Sequence, residues 1–150
     1  MASLLTYTQE FRETVLQGCS SQRMCVALSA PLHAAFRARG TSSELVVTDL
    51  GECEHVFLRL ADGQVLDPTA DQFNSFSREK LPGVYLGAPA SIHESALPWP
   101  GGQEWHELMA ELKRLYPTLE ATDVGRTVYL TLRTLPPGLC EFTKVAGKVC

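Results

Sequence analysis

Nowhere in the 150 residues do lysine and arginine gather into a cluster. With 13 basic against 17 acidic side chains and a net charge of -4, the chain lacks the positive stripe that sequence-independent nucleic-acid binding requires. Long apolar runs are missing as well. No stretch approaches the roughly eighteen apolar residues of a membrane helix, so no membrane partner is expected. The opening stretch MASLLTYTQEFRETVLQG lacks the basic start and apolar run of a signal peptide. There is no internal repeat, low-complexity segment or linker, so a single domain over 1-150 is expected. The cysteines do not form an even set: Cys19, Cys25, Cys53, Cys140 and Cys150 are irregularly spaced. That suits reduced thiols in a cytosol better than a disulfide framework. Export by a dedicated secretion machine would leave no trace, so the expectation is cytoplasmic, or secreted without a classical signal peptide.

What is present is ordinary for a soluble globular chain, 45% hydrophobic and 20% charged. Residues 3-17 predict an amphipathic helix through Leu4, Leu5, Phe11, Val15 and Leu16, stopped at Gly18. A second helical pattern runs through Met24, Cys25, Leu28, Leu32 and Phe36 to Gly40. Ser20 or Ser21 is its expected cap, and Pro31 is expected to kink it or confine its regular part to the C-terminal half. Leu45-Leu50 reads as a strand. Residues 74-102, with Pro82, Pro89, Pro98 and Pro100, read as a long covering loop with a strand-like piece at Val84-Leu86. Trp105, Leu108, Met109, Leu112 and Leu115 mark a helix over 104-116 that Pro117 stops. The alternation Val128, Leu130, Leu132 against Thr127, Tyr129, Thr131 predicts a half-buried strand over 126-135. A helix followed by antiparallel strands implies an α+β architecture.

The most informative stretch is Glu54 to Phe73, EHVFLRLADGQVLDPTADQF. His55-Leu60 and Gln64-Asp67 predict two strands around the turn Ala61-Asp62-Gly63. With Gly63 in the left-handed region, Leu60 pairs with Gln64, His55 falls opposite Thr69, and Asp67 becomes the diagonal neighbour of His55 on one face. A two-residue turn would put Asp67 on the other face. A thiol near a helix start beside an imidazole can become a nucleophile, and a carboxylate can hold that imidazole's tautomer. The candidate catalytic residues are therefore Cys25, His55 and Asp67, with Gln22 as an oxyanion candidate. Cys19 is the weaker nucleophile candidate, because it lacks the downstream apolar spacing to Gly40. A zinc site from Cys19, Cys25, Cys53 and His55 would have an unusual spacing. His33, His93 and His106 show no carboxylate or cysteine partner at telling spacing, and no cofactor is expected.

The order Cys25-Val-Ala-Leu-Ser29 leading to Ala38-Arg-Gly40, His55-Val-Phe with Asp62-Gly63, and Leu66-Asp67-Pro-Thr69 with Asp71-Gln72-Phe73 resembles the papain-like and transglutaminase-like superfamily. In particular it resembles short bacterial papain-fold toxin and effector domains, over roughly residues 18 to 90. The resemblance implies a nucleophile helix packed on an antiparallel sheet, with Cys25 as nucleophile, His55 as base and Asp67 as orienter. It further implies thioester chemistry on a protein or peptide substrate: glutamine deamidation or peptide hydrolysis with water, transglutamination with an amine. A catalytically silent interaction module of the same fold, and an arylamine-type acetyltransferase, are the competing expectations.

Overall fold

The computed structural model describes residues 2-75, 77-134 and 150. Helix α1 (Leu4-Leu16) begins where the Ser3 side chain accepts the Thr6 N–H, and it buries Phe11, Val15 and Leu16. It ends at Gln17 and Gly18, both with positive φ (51° and 80°), a left-handed stop that glycine adopts without strain. Helix α2 (Cys25-Ala38) is buried along most of its length, which its unbroken apolar run Cys25-Val-Ala-Leu requires. Five strands follow: β1 (Ser43-Asp49), β2 (Glu54-Leu60), β3 (Val65-Asp67), β4 (Tyr85-Gly87) and β5 (Leu97-Pro98). They form one antiparallel sheet in the order β4-β3-β2-β1-β5. Helices α3 (Gly102-Leu115) and α4 (Ala121-Thr134) complete the α+β architecture.

Helix α2 is the centre of the packing. It lies against β1 and β2 on one side and against α4 and α3 on others, while α4 also packs on α1. The main core joins Leu28, Leu32 and Phe36 of α2 to Val56 and Leu58 of β2, Leu66 of β3 and Val128 of α4. The opposite face of the sheet buries Val46, Phe57 and Val65. Strand β2 is thus covered on both faces, which is why His55-Val-Phe-Leu58 is buried without alternation.

Three expectations are corrected by this packing. Pro31 does not confine α2 to its C-terminal half, since the helix spans Cys25 to Ala38 with the proline inside. The ring removes the helical hydrogen bond that the Ala27 carbonyl would accept. Gly125 of α4 approaches that same carbonyl so closely that an added Cβ would stand 2.9 Å from its oxygen. Second, the stretch expected as a strand from Arg126 is helix α4 up to Thr134, with Leu135 outside the described residues. Burial of Val124 and Val128, four apart, decides the period. The β-branched threonines are accommodated by donating to carbonyls one turn back, Thr127 to Asp123 and Thr131 to Thr127. Third, Ser20 and Ser21 do not cap α2. Met24 stands at the cap position without a side-chain bond, and Ser21 Oγ instead donates to Asp71 Oδ1 at 2.7 Å.

Candidate active site

The site is built on the hairpin of β2 and β3. Leu60 N–H donates to Gln64 O at 2.8 Å, Gly63 N–H donates to Leu60 O at 3.0 Å, and Gly63 takes φ 85°. This three-residue turn sets the register Leu58 opposite Leu66 and Arg59 opposite Val65. Continued outward, that register leaves His55 and Asp67 as diagonal neighbours on one face. Their side chains meet inside the protein: His55 Nε2 lies 2.6 Å from Asp67 Oδ2, both fully buried.

The surrounding bonds determine where each proton sits. Gln72 presents its Oε1 to the Arg23 N–H at 3.2 Å, which turns its Nε2 inward to donate to Thr69 Oγ1 at 3.0 Å and His55 Nδ1 at 3.2 Å. An amide nitrogen can only donate, so Nδ1 of His55 is the bare, accepting nitrogen and Nε2–H donates to Asp67. His93 obeys the same logic. Its Nδ1 accepts the Ala90 N–H at 3.1 Å, so its Nε2–H donates to Asp67 Oδ2 at 2.8 Å. The other carboxylate oxygen, Oδ1, accepts the Thr69 N–H at 3.0 Å. Burial alone would raise the Asp67 carboxyl, but His55 and then His93 hold it well below the usual carboxylate range. Asp67 is a buried anion with its lone pairs satisfied.

Cys25 opens α2 and is fully buried. Burial pushes its thiol far up, further raised by the Asp67 charge and opposed by backbone groups of Val56, Val26 and Cys25 itself. In this arrangement it is a protonated thiol. Val56 directly follows His55 on β2, and its carbonyl also accepts Ser29 Oγ at 3.3 Å, so the start of α2 is pinned beside the histidine strand. Among the described residues no hydrogen bond joins Cys25 Sγ to His55; the Nδ1 lone pair meets Gln72 instead. The structure thus brings His55 and Asp67 into direct contact and leaves Cys25 in the neighbouring layer.

The remaining candidates lie elsewhere. Gln22 is exposed, and its backbone N–H is what bonds, to Ser20 Oγ at 3.1 Å. With Cys19, Ser21, Asp71 and Gln72 it lines an open cleft of about 230 Å³. The side-chain amide that reaches the buried site is Gln72. Arg12 braces this wall, donating to the carbonyls of Pro68 and Gly83 at 2.8 Å and to both carboxylate oxygens of Asp71. The expectation of reduced thiols fails for one pair, because Cys53 and Cys150 form a disulfide, while Cys19 and Cys25 are free. Cys140 lies outside the described residues. Cys150 N–H donates to Glu54 O at 2.8 Å, and its carbonyl accepts the Cys25 N–H at 3.4 Å, so this residue covers the start of α2.

His93 has no carboxylate at telling spacing in the sequence, and the fold supplies one: it shares Asp67 with His55 from a turn at Ser91-His93 in the covering loop. No local spacing signals that contact, since 26 residues separate the two. One ligand atom each of His55, Asp67 and His93 lies within 4.8 Å of the others, a donor set suited to a divalent metal such as zinc. Both Nε2 atoms already direct protons at the carboxylate, so a metal would have to displace them. No helix among the described residues is long and apolar enough to cross a membrane. No family model, curated protein or solved structure matches this chain.

Proposed function

We propose that this protein is a cysteine-dependent amide hydrolase of papain-like or transglutaminase-like type, acting on a protein or peptide substrate through a thioester at Cys25. The observation that carries the reading is the protonation pattern of His55: Nε2–H is committed to Asp67, and Nδ1 is the unprotonated nitrogen, accepting only the Gln72 amide. A general base in a thiol site needs that division of labour, with one nitrogen held by an anion and the other unprotonated and able to take a proton. The start of α2 lies beside the strand that carries the histidine, where Ser29 Oγ donates to Val56 O at 3.3 Å, and this supports the same class.

The chemistry follows from these roles. Once Gln72 yields Nδ1, His55 takes the Cys25 proton, the thiolate adds to the carbonyl carbon, and the C–N bond breaks as His55 returns the proton to the leaving nitrogen. Water then hydrolyses the thioester, with the released thiolate regaining its proton. Side-chain deamidation and peptide hydrolysis share every step; an amine acceptor would give transglutamination instead.

Complete burial of the thiol specifically favours one rival, a catalytically silent interaction module of the same fold. The two separate on one experiment: incubate the reduced protein with glutamine-containing peptides and assay ammonia, new termini and thioester adducts by mass spectrometry. The hydrolase reading expects product that vanishes in Cys25→Ala and His55→Ala. Absence of any adduct or product at Cys25, with folding intact, contradicts it.

A further inference from the structure

His93 is not required by a Cys-His-Asp site, yet it is nearly fully buried and its geometry is over-determined. Its Nδ1 is occupied by the Ala90 N–H, and its ring stacks on Tyr85 at 5.4 Å between centroids and meets the edge of Phe57 at 4.6 Å. What remains is a single N–H, aimed at the same Asp67 oxygen that His55 uses. A second buried imidazole on that oxygen has an electrostatic consequence. Removing an anion from water is costly, and each donated hydrogen bond offsets part of that cost.

We propose that His93 is a positioning residue, a neutral second imidazole that keeps Asp67 ionised and aimed so that Asp67 can in turn hold the base His55. The inference rests on the hydrolase reading of His55 and Asp67, but its chemistry can be observed without turnover. It also assigns a task to the covering loop. The turn at Ser91-His93 delivers a donor into the site from that loop, so its displacement would remove Asp67's second imidazole donor.

The test is nuclear magnetic resonance on the full chain with nitrogen-labelled histidine and carbon-labelled aspartate. In the native protein at neutral pH, His93 is expected as the neutral tautomer with its proton on Nε2 and with that proton shifted far downfield. An Nδ1–H tautomer or a doubly protonated ring at His93 overturns the proposal. His93→Gln retains a side-chain N–H for Asp67, whereas His93→Phe keeps the ring and loses the donor. The Asp67 carboxyl resonance should titrate at distinctly higher pH in His93→Phe and remain low in His93→Gln. Equal behaviour of the two variants overturns the proposal even if Cys25 proves active, because a packing role alone would not distinguish them. If His93→Phe does not fold, the native tautomer still decides. Conversely, a correct tautomer in a protein that never forms a thioester leaves His93's role standing and removes only the hydrolase reading.

Discussion

His55 and Asp67 sit twelve residues apart in the chain and 2.6 Å apart in the structure, joined across a hairpin whose turn sets which face each occupies. A one-residue change in that turn would send Asp67 to the other face of the sheet. The contact is therefore a property of Ala61-Asp62-Gly63 as much as of the two residues that make it.

Removing the carboxylate tests its structural weight. Asp67→Ala would leave the buried Nε2–H groups of His55 and His93 without their acceptor, each at about 1-3 kcal/mol. A loss of about 2-6 kcal/mol in chemical unfolding is expected. The native carboxyl is depressed below its ordinary value of 3.8, so its stabilisation is fully present above that pH and declines as pH falls below it. The acid-induced decline should shrink in Asp67→Asn.

The contact between α2 and α4 gives a second expectation. Gly125→Ala puts a methyl 2.9 Å from the Ala27 carbonyl oxygen and 2.9 Å from a Val15 methyl. Helix propensity favours alanine by about 1 kcal/mol. Backbone offers little room to yield, so overpacking of about 1-3 kcal/mol should prevail and lower the thermal midpoint.

His33 supplies a pH dependence away from the site. Burial, then Arg37 and His106, depress its imidazole to about 4 from an ordinary 6.5, and its Nδ1 lies 2.7 Å from Ser43 Oγ. Between those values the unfolded chain binds a proton that the folded chain refuses. Stability should therefore fall as pH drops from 6.5 towards 4, and His33→Asn should flatten that slope in urea titrations.

The hairpin was readable because turn chemistry and strand period act over short distances. Gly63 after Asp62, and the parity of residues 55 and 67, contain the register, and α1, α2, α3, β1 and β4 follow similarly from local apolar spacing and stops. Helix α4 misled because Thr127, Val128, Tyr129 and Thr131 carry strand preference, which contact with α1 and α2 overrides. His93, Gln72 and the Cys53-Cys150 pair were illegible for another reason. Each acts through a tertiary contact whose partners lie 17 to 97 residues away, and no short-range pattern encodes such a distance.

The central claim, that Cys25 is a nucleophile served by His55, is tested most directly by site-resolved alkylation against pH. Iodoacetamide labelling would be read by mass spectrometry at each cysteine, before and after reduction of the Cys53-Cys150 disulfide. With the disulfide formed, the buried Cys25 is expected to be inert while the exposed Cys19 reacts. After reduction has freed Cys150 from Cys53 beside the start of α2, Cys25 should react well below the ordinary thiol pKa of about 8.5, and His55→Ala should abolish that advantage. A Cys25 that stays inert in the folded, reduced protein, or reacts identically without His55, contradicts the account.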